Sequence, residues 1–402
     1  MVANIRLPAD NAAARRVTIL AGAFARLGAD VKLFMPCPRE ALGSEDSVPG
    51  VEFRWGAYPT PERQWRTRNG RVNVLTQLFA RASWVGQLLV ATMRARYDWI
   101  YVYHPSPEGA FLACVARLSG RGVVVEQVDG FYYTWSTFSL LEFVHLQIHR
   151  FSVWTAKRVA SFIVVISSRL AGASPRGAAV LRVPALVDCA RFQAGNPDRV
   201  RTRLNGRKAR WIVYAGSLNT DAGFTELLAA VAKVVRLVPD AYLIFAGDRM
   251  ALTATPEAVI SRYGLEQYAE YAGLLKYSEV VDLMALADVL VMPKASSALN
   301  DMGFPTKVAE YMASGRPVVA TRISDIPEYL TDGVDAFLCN PGDVDALADG
   351  IVVALEASPE MRARVGRAGR LVAYRSFDVH ANAARIIGAM LHEDGRRLGR
   401  TG

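Results

Sequence analysis

Short apolar, β-branched runs alternate along the chain with longer stretches of helical period, the pattern of parallel α/β sheets. In the first half, runs at residues 31–35, 51–55, 99–103, 123–128 and 162–166 predict buried strands. The stretches 12–27, 75–96, 109–118 and 140–160 predict helices. A parallel domain ordinarily opens on a buried strand, yet few residues precede the helix predicted at 12–27. The first strand is therefore expected to be missing, or the chain to begin on a loop. Residues 181–208 are polar and contain proline, and read as a linker. The cycle then restarts, with strands at 211–215, 241–246, 270–272, 289–292, 318–320 and 336–338. Helices are predicted at 223–237, 305–313, 344–355 and, at the tail, 377–391. Two such cycles imply two Rossmann-like domains across a cleft, with ligands at the carboxyl ends of the strands. The expected boundaries are 1–185 and 208–375, followed by a helix and tail over 376–402.

Composition changes this picture little. Hydrophobic residues make up 51% of the 402 positions and charged residues 21%, which fits globular domains and excludes a disordered chain. Cys37, Cys114, Cys189 and Cys339 are far apart, and the five histidines are scattered, so no zinc site is read. The opening residues lack the apolar core of a signal peptide. The most apolar stretch, 138–154, is interrupted by Glu142, His145, His149 and Arg150, too often for a membrane span. A cytoplasmic location is the expectation, with peripheral contact at the inner membrane face left open. The net charge of +9 raises nucleic acid as a partner, but the basic residues are dispersed and no binding motif accompanies them. An anionic membrane surface or an anionic substrate accounts for the charge equally well, and nucleic acid is not expected.

The chemistry concentrates in residues 289–321, VLVMPKASSALNDMGFPTKVAEYMASGRPVVAT. This reads as a buried strand, a polar loop, then a glycine and a proline opening a helix. Gly303 permits close backbone approach, and Pro305 suits a first helical turn. The amides of Thr306 and Lys307 at the positive end of the helix dipole form a site for phosphate. Lys307 adds a full charge, and Glu310, one turn on, is placed for vicinal hydroxyls such as those of a ribose. The alternative for Glu310 is a solvated helix residue.

The segment GFPTKVAEYMASGRPVVAT resembles the donor-site signature of glycosyltransferase family 4. WIVYAGSL, AYLIFAGD, YAGLLKYSEVVDLMALADVLVMP and SDIPEYLTDGVDAFLCNPGDVDALADGI resemble the flanking segments of that family's second domain. The first half matches more loosely. The resemblance implies a GT-B fold, two Rossmann-like domains facing across a cleft, with the C-terminal helix crossing back to the first. It implies a retaining, metal-independent transferase with no cofactor, moving a sugar from a UDP- or GDP-sugar to a hydroxyl acceptor. The acceptor would be a sugar, lipid-linked sugar or glycoconjugate, in polysaccharide or glycolipid synthesis. Glu310 matches the acid that binds the donor ribose. Gly303, Phe304, Thr306 and Lys307 match the pyrophosphate site, and Gly216 and Ser217 the glycine loop.

Two positions depart from the family pattern. Met302 stands where an acid often contacts the donor sugar, and the glycine loop carries no basic pair. Asp301 is the substitute for the missing acid, or else a cap for the following helix. Arg6 is placed to offset the missing basic pair, or else lies on a frayed terminus. His104, ending WIYVYH, is expected either to contact the donor or to be a satisfied, partly buried histidine. Asp129, after the strand at 123–128, is expected to face the cleft, with Glu126 on the other face of that strand. The aromatic residues from Phe131 to Phe138, with the helix at 140–160, are read as core rather than as a lipid-touching surface. Two rival readings share the fold: a non-catalytic binding subunit, and an epimerase acting on a UDP-sugar.

Overall fold

The computed structural model describes residues 1–3, 12–35, 48–55, 74–94, 97–129, 140–203, 207–252 and 254–398. The chain divides into two units. One comprises Met1–Val183 with Asn382–Gly402, the other Pro184–Ala381.

The first unit is built on a parallel sheet of β1 (Val2–Ala3), β2 (Val31–Met35), β3 (Val51–Trp55), β4 (Trp99–Tyr103), β5 (Gly122–Gln127), β6 (Phe162–Val165) and β7 (Val180–Arg182). Their order is β3-β2-β1-β4-β5-β6-β7. The first strand is thus present: Val2 pairs with Phe34 on one side and Val102 on the other. It is two residues long, too short to leave an apolar run in the sequence. The central strands β5 and β6 are buried along their whole length, as expected of strands covered on both faces.

The second unit carries β8 (Arg210–Ala215), β9 (Ala241–Ala246), β10 (Ala269–Tyr271), β11 (Val289–Met292), β12 (Val318–Thr321) and β13 (Phe337–Cys339), in the order β10-β9-β8-β11-β12-β13. Both sheets follow the doubly wound order that reverses beside the first strand of the unit. Helix Phe224–Leu237 buries Phe224, Leu227, Leu228, Val231, Val234 and Val235, a stripe at helical spacing set against the sheet.

Residues 184–203 are more than a linker. Val187 bridges Asp378, Cys189–Ala194 forms a 3₁₀ turn with Cys189 and Phe192 buried, and a short helix follows at Pro197–Arg203. They belong to the second unit. Their apolar residues are too few and too irregular to show a period, so only packing reveals the structure. The last helix, Val379–Leu398, begins in the second unit, and its residues from Asn382 onward belong to the first. Trp99 Nε1 donates to Asp394 Oδ2 at 2.9 Å, which ties that helix to β4.

Helix Leu140–Val159 departs from the expectation of core. Val153 and Ala156 are buried, but Phe143, Val144, Ile148, Phe151 and Trp154 are each 45–64% exposed. They share one side of the helix, where Phe151 stacks on Trp154 and the Arg158 guanidinium lies 5.0 Å from the Trp154 ring. The preceding aromatic residues, 131–138, lie outside the described residues. No helix among the described residues is long and apolar enough to cross a membrane.

Candidate functional site

At the carboxyl ends of β8 and β11, three backbone segments of the second unit converge. The first is the turn after β8, where Gly216 N donates to the Ala246 carbonyl at 2.9 Å and the Tyr214 hydroxyl to the Ser217 carbonyl at 2.5 Å. Asn219 then caps a 3₁₀ turn at Thr220–Ala222. The second segment is the loop after β11. Its Lys294 carbonyl accepts from Thr321 Oγ1 at 2.7 Å. Asn300, 5% exposed, donates to the carbonyls of Asp221 and Ala295, each at 2.8 Å, and so ties this loop to the first. Such a buried amide with both hydrogens used fixes two loops in one register.

The third segment is helix Thr306–Ser314. Pro305 stands at its N-cap, and no side chain caps the helix start. The Val308 N–H donates to the Pro305 carbonyl at 3.1 Å, and the amides of Thr306 and Lys307 remain for an outside acceptor at the positive end of the helix dipole. Asp301 lies in the preceding short helix, Ala298–Met302, and accepts from Ser296 Oγ at 3.4 Å. Ser324, held at φ +48°, donates to the Gly303 carbonyl and anchors the approach to the helix.

Glu310 is 6% exposed, which removes the alternative of a solvated helix residue. Its Oε2 is 3.2 Å from Lys307 Nζ, so the two charged residues named from the sequence form one ion pair. Phe304 contributes only backbone to this region, because its ring packs on Tyr329 and Phe377 with centroids 5.5 and 5.6 Å away. Gly303 has φ −82° and ψ −168°, extended backbone that any residue adopts, so its geometry does not demand glycine. The demand lies elsewhere. A Cβ on Gly223, at φ +75°, would stand 1.7 Å from the Pro293 carbonyl oxygen. One on Gly247 would stand 2.0 Å from the Gly216 carbonyl oxygen. Gly216 is less constrained, with the Tyr214 hydroxyl 3.0 Å from the position of its Cβ.

The sequence reading missed Gly223, Gly247, Asn300, Ser324 and Tyr311. Tyr311 is fully buried and hydrogen-bonds both backbone groups of Ala215. Each of these residues holds a loop in place; of the five only Gly247, directly after the predicted strand 241–246, carried a local signal.

In the first unit the structure brings His104 and Asp129 into electrostatic contact. His104 is half-buried at φ +46°, its N–H donates to the Glu126 carbonyl at 2.8 Å, and its ring meets His149 edge-on at 5.6 Å. Burial holds its imidazole below the usual range, against the opposing pull of Asp129 and Glu126. Asp129 is exposed at the end of β5, whereas Glu126 is fully buried. Glu126 accepts from Arg16 Nε at 2.8 Å and from the Tyr101 hydroxyl at 2.8 Å. The two carboxylates are thus separated in role as strand alternation predicts. Arg6 lies outside the described residues.

A loop-anchored helix start with free amides at Thr306 and Lys307 and a buried acid one turn inside can accept an anion. Residues 209–357 match the family model described as "Glycosyl transferases group 1". Over these residues the chain is similar to the group 1 glycosyltransferases. The chain is also similar to the GDP-mannose-dependent alpha-(1-6)-phosphatidylinositol monomannoside mannosyltransferase of Mycolicibacterium smegmatis, 28% identical over 286 residues, 69% of this chain and 72% of that one. It is 31% identical over 193 residues to the putative glycosyltransferase EpsD of Bacillus subtilis, and spans about half of that protein, 48%. The fold is similar to that of Anabaena HepE in complex with UDP and glucose, with a TM-score of 0.70 at 19% identity over 97% of this chain and 98% of HepE. The chain thus has a GT-B fold, and its strand order matches that architecture.

Proposed function

We propose that the chain is a retaining glycosyltransferase whose second unit binds a UDP- or GDP-sugar at the start of helix Thr306–Ser314. The observation that carries this reading is the uncapped helix start with Glu310 buried one turn inside it. The first-turn amides and Lys307 receive the diphosphate, and Glu310 accepts from the ribose hydroxyls. Relatives supply both bases: GDP in the name of the mannosyltransferase and UDP in the HepE complex.

In the proposed step the bond from the anomeric carbon to the diphosphate oxygen breaks. A bond to the acceptor oxygen forms on the same face, and the acceptor proton passes to the departing diphosphate. The helix dipole and Lys307 stabilise the charge that develops on the leaving group without a metal ion. Asp301 contacts the donor sugar in place of the absent acid, and His104 and Asp129 are the first-unit groups proposed to act on the reacting sugar. The acceptor carries a hydroxyl on a sugar, a lipid-linked sugar or a glycoconjugate. The exposed apolar side of helix Leu140–Val159, with Arg158 beside it, supports peripheral contact with an anionic membrane surface.

The test is transfer from a panel of UDP- and GDP-sugars, with and without EDTA, by wild type and Glu310→Ala. Wild type should transfer in EDTA, and Glu310→Ala should lose at least about a hundredfold in rate with its fold intact. Unaltered transfer by Glu310→Ala would overturn the site. The binding-subunit reading, favoured by Met302 and the absence of a basic pair from the glycine loop, predicts no transfer from any donor.

A further inference from the structure

The second unit carries another cavity, of about 620 Å³, whose walls include Arg316, Arg362, Arg367 and Arg370. Ser314, Gly315, Pro317 and Asp288 also line it, placing it at the amino ends of β11 and β12 and at the last turn of helix Thr306–Ser314. The donor site proposed above lies at the opposite ends of those elements. The two sites are therefore distinct.

The charge balance of this cavity is one-sided. Asp288 is the only carboxylate among its lining residues, and its Oδ2 already accepts the Trp211 N–H at 2.8 Å. Three of the arginines are oriented by main-chain carbonyls: Arg316 by Ala285, Arg362 by Leu355 at 2.9 Å, and Arg370 by Ser314. Those bonds hold the guanidinium groups in place without neutralising them. Among the described residues no carboxylate forms an ion pair with any of the four. The Arg370 Nε is buried with no hydrogen-bond acceptor among the described residues. Burial lowers the Arg316 guanidinium, and the nearby charges of Arg201 and Arg370 add to that, against Asp288.

The backbone makes room for this crowding. Gly315, at φ +71°, lies under the Arg370 guanidinium, where a Cβ would come within 2.4 Å of Nη2. Gly366 lets helix Pro359–Val372 approach the Gly315 carbonyl, which a Cβ would meet at 2.1 Å. Capping of the preceding helix accounts for Arg370 alone. It does not account for Arg362 and Arg367, which line the same space from the helix that also carries Arg370.

We propose that this cavity is a second anion site, which takes a small molecule or headgroup bearing a phosphate monoester or diphosphate. Guanidinium forks suit phosphate oxygens, and the volume lies within the range of small-molecule sites, roughly 300–1,000 Å³.

The experiment titrates inorganic pyrophosphate into the full chain by calorimetry. Wild type, Arg362→Gln/Arg367→Gln, Arg367→Gln alone and Lys307→Ala are compared. A binding component that survives Lys307→Ala and weakens about tenfold or more in the arginine variants supports the proposal. Arg367→Gln alone covers the case in which the double variant fails to fold, since Arg367 is exposed and forms no hydrogen bond or ion pair among the described residues. Co-sedimentation with phosphatidylcholine vesicles containing phosphatidic acid separates the sources. Arginine-dependent sedimentation identifies a lipid headgroup; pyrophosphate binding without it identifies a soluble phosphate. If neither probe responds to the arginine substitutions, the proposal is overturned. Because transfer is not the readout, failure here leaves the donor-site reading untouched, and failure of transfer leaves this one untouched.

Discussion

Tyr311, the residue after Glu310, sets its hydroxyl against Ala215, the last residue of β8. It accepts from the Ala215 N–H at 2.9 Å and donates to the Ala215 carbonyl at 3.2 Å. The helix that carries Glu310 and the strand that leads into the glycine loop are thereby locked together. Burial raises the phenol well above its ordinary range, so the hydroxyl keeps its proton and both bonds persist at working pH. Tyr311→Phe keeps the ring and strands two buried backbone groups, at a cost of about 1–3 kcal/mol. A lower midpoint of thermal unfolding and weaker donor binding in calorimetry are the expected outcomes. An unchanged donor affinity would show that the tie does not position the glycine loop.

The glycines separate by geometry. Gly223→Ala and Gly247→Ala each drive a methyl into a carbonyl oxygen at 2.0 Å or less. Each should lower stability by about 2 kcal/mol or more and displace the loop it supports. Gly303→Ala, in extended backbone, should stay within about 1 kcal/mol of wild type. Urea midpoints of the three variants check the order.

Glu126 and Asp129 are three residues apart and should behave oppositely. Glu126→Ala leaves the Arg16 guanidinium, 4% exposed, without its counter-ion, at a cost of about 3–5 kcal/mol. Asp129→Asn changes an exposed group beside His104 and should leave stability unchanged within about 0.5 kcal/mol while slowing transfer. Denaturation and initial rates on both variants test the division, and a stable Glu126→Ala would refute it.

Lys157 gives a pH signature. Burial lowers its ammonium from 10.5 to about 8, and its Nζ donates to Ser174 Oγ at 3.3 Å. Between pH 8 and 10.5 the unfolded chain holds a proton there that the folded chain does not, so stability gained from this group rises with pH across that window. Below pH 8 the buried charge destabilises the fold. Lys157→Met should therefore raise the unfolding midpoint at pH 7, and the gain should shrink as the pH climbs toward 10.5. A gain constant with pH would mean that Lys157 does not titrate within the window.

Local physics made most of the elements legible. The strands at 31–35, 51–55, 99–103, 241–246 and 289–292 coincide with β2, β3, β4, β9 and β11. Of these, β4, β9 and β11 are unbroken apolar runs, as buried parallel strands are, while the edge strand β3 alternates apolar residues with exposed Glu52 and Arg54. The run leading to Pro305 showed the helix start, and Glu310 followed from its spacing to that start. Elements with few apolar residues were illegible: β1, the segment 184–203 and the short helices Ala298–Met302 and Ile326–Tyr329. Their stability comes from distant partners, as in the Val2 pairing to Phe34 and Val102.

By itself the sequence determined two α/β cycles, the helix start at residues 303–310, and the family likeness of that segment. Each is written in neighbouring residues, through period, turn chemistry and spacing. Only the tertiary structure decided that Glu310 is buried against Lys307, that Glu126 is taken by Arg16, and that four arginines share one cavity. It also decided that glycine is required at positions 223 and 247 rather than 303. The physical reason is common to all of these. Burial, ion pairing and steric exclusion depend on atoms brought together from far along the chain, and no local pattern of residues records them.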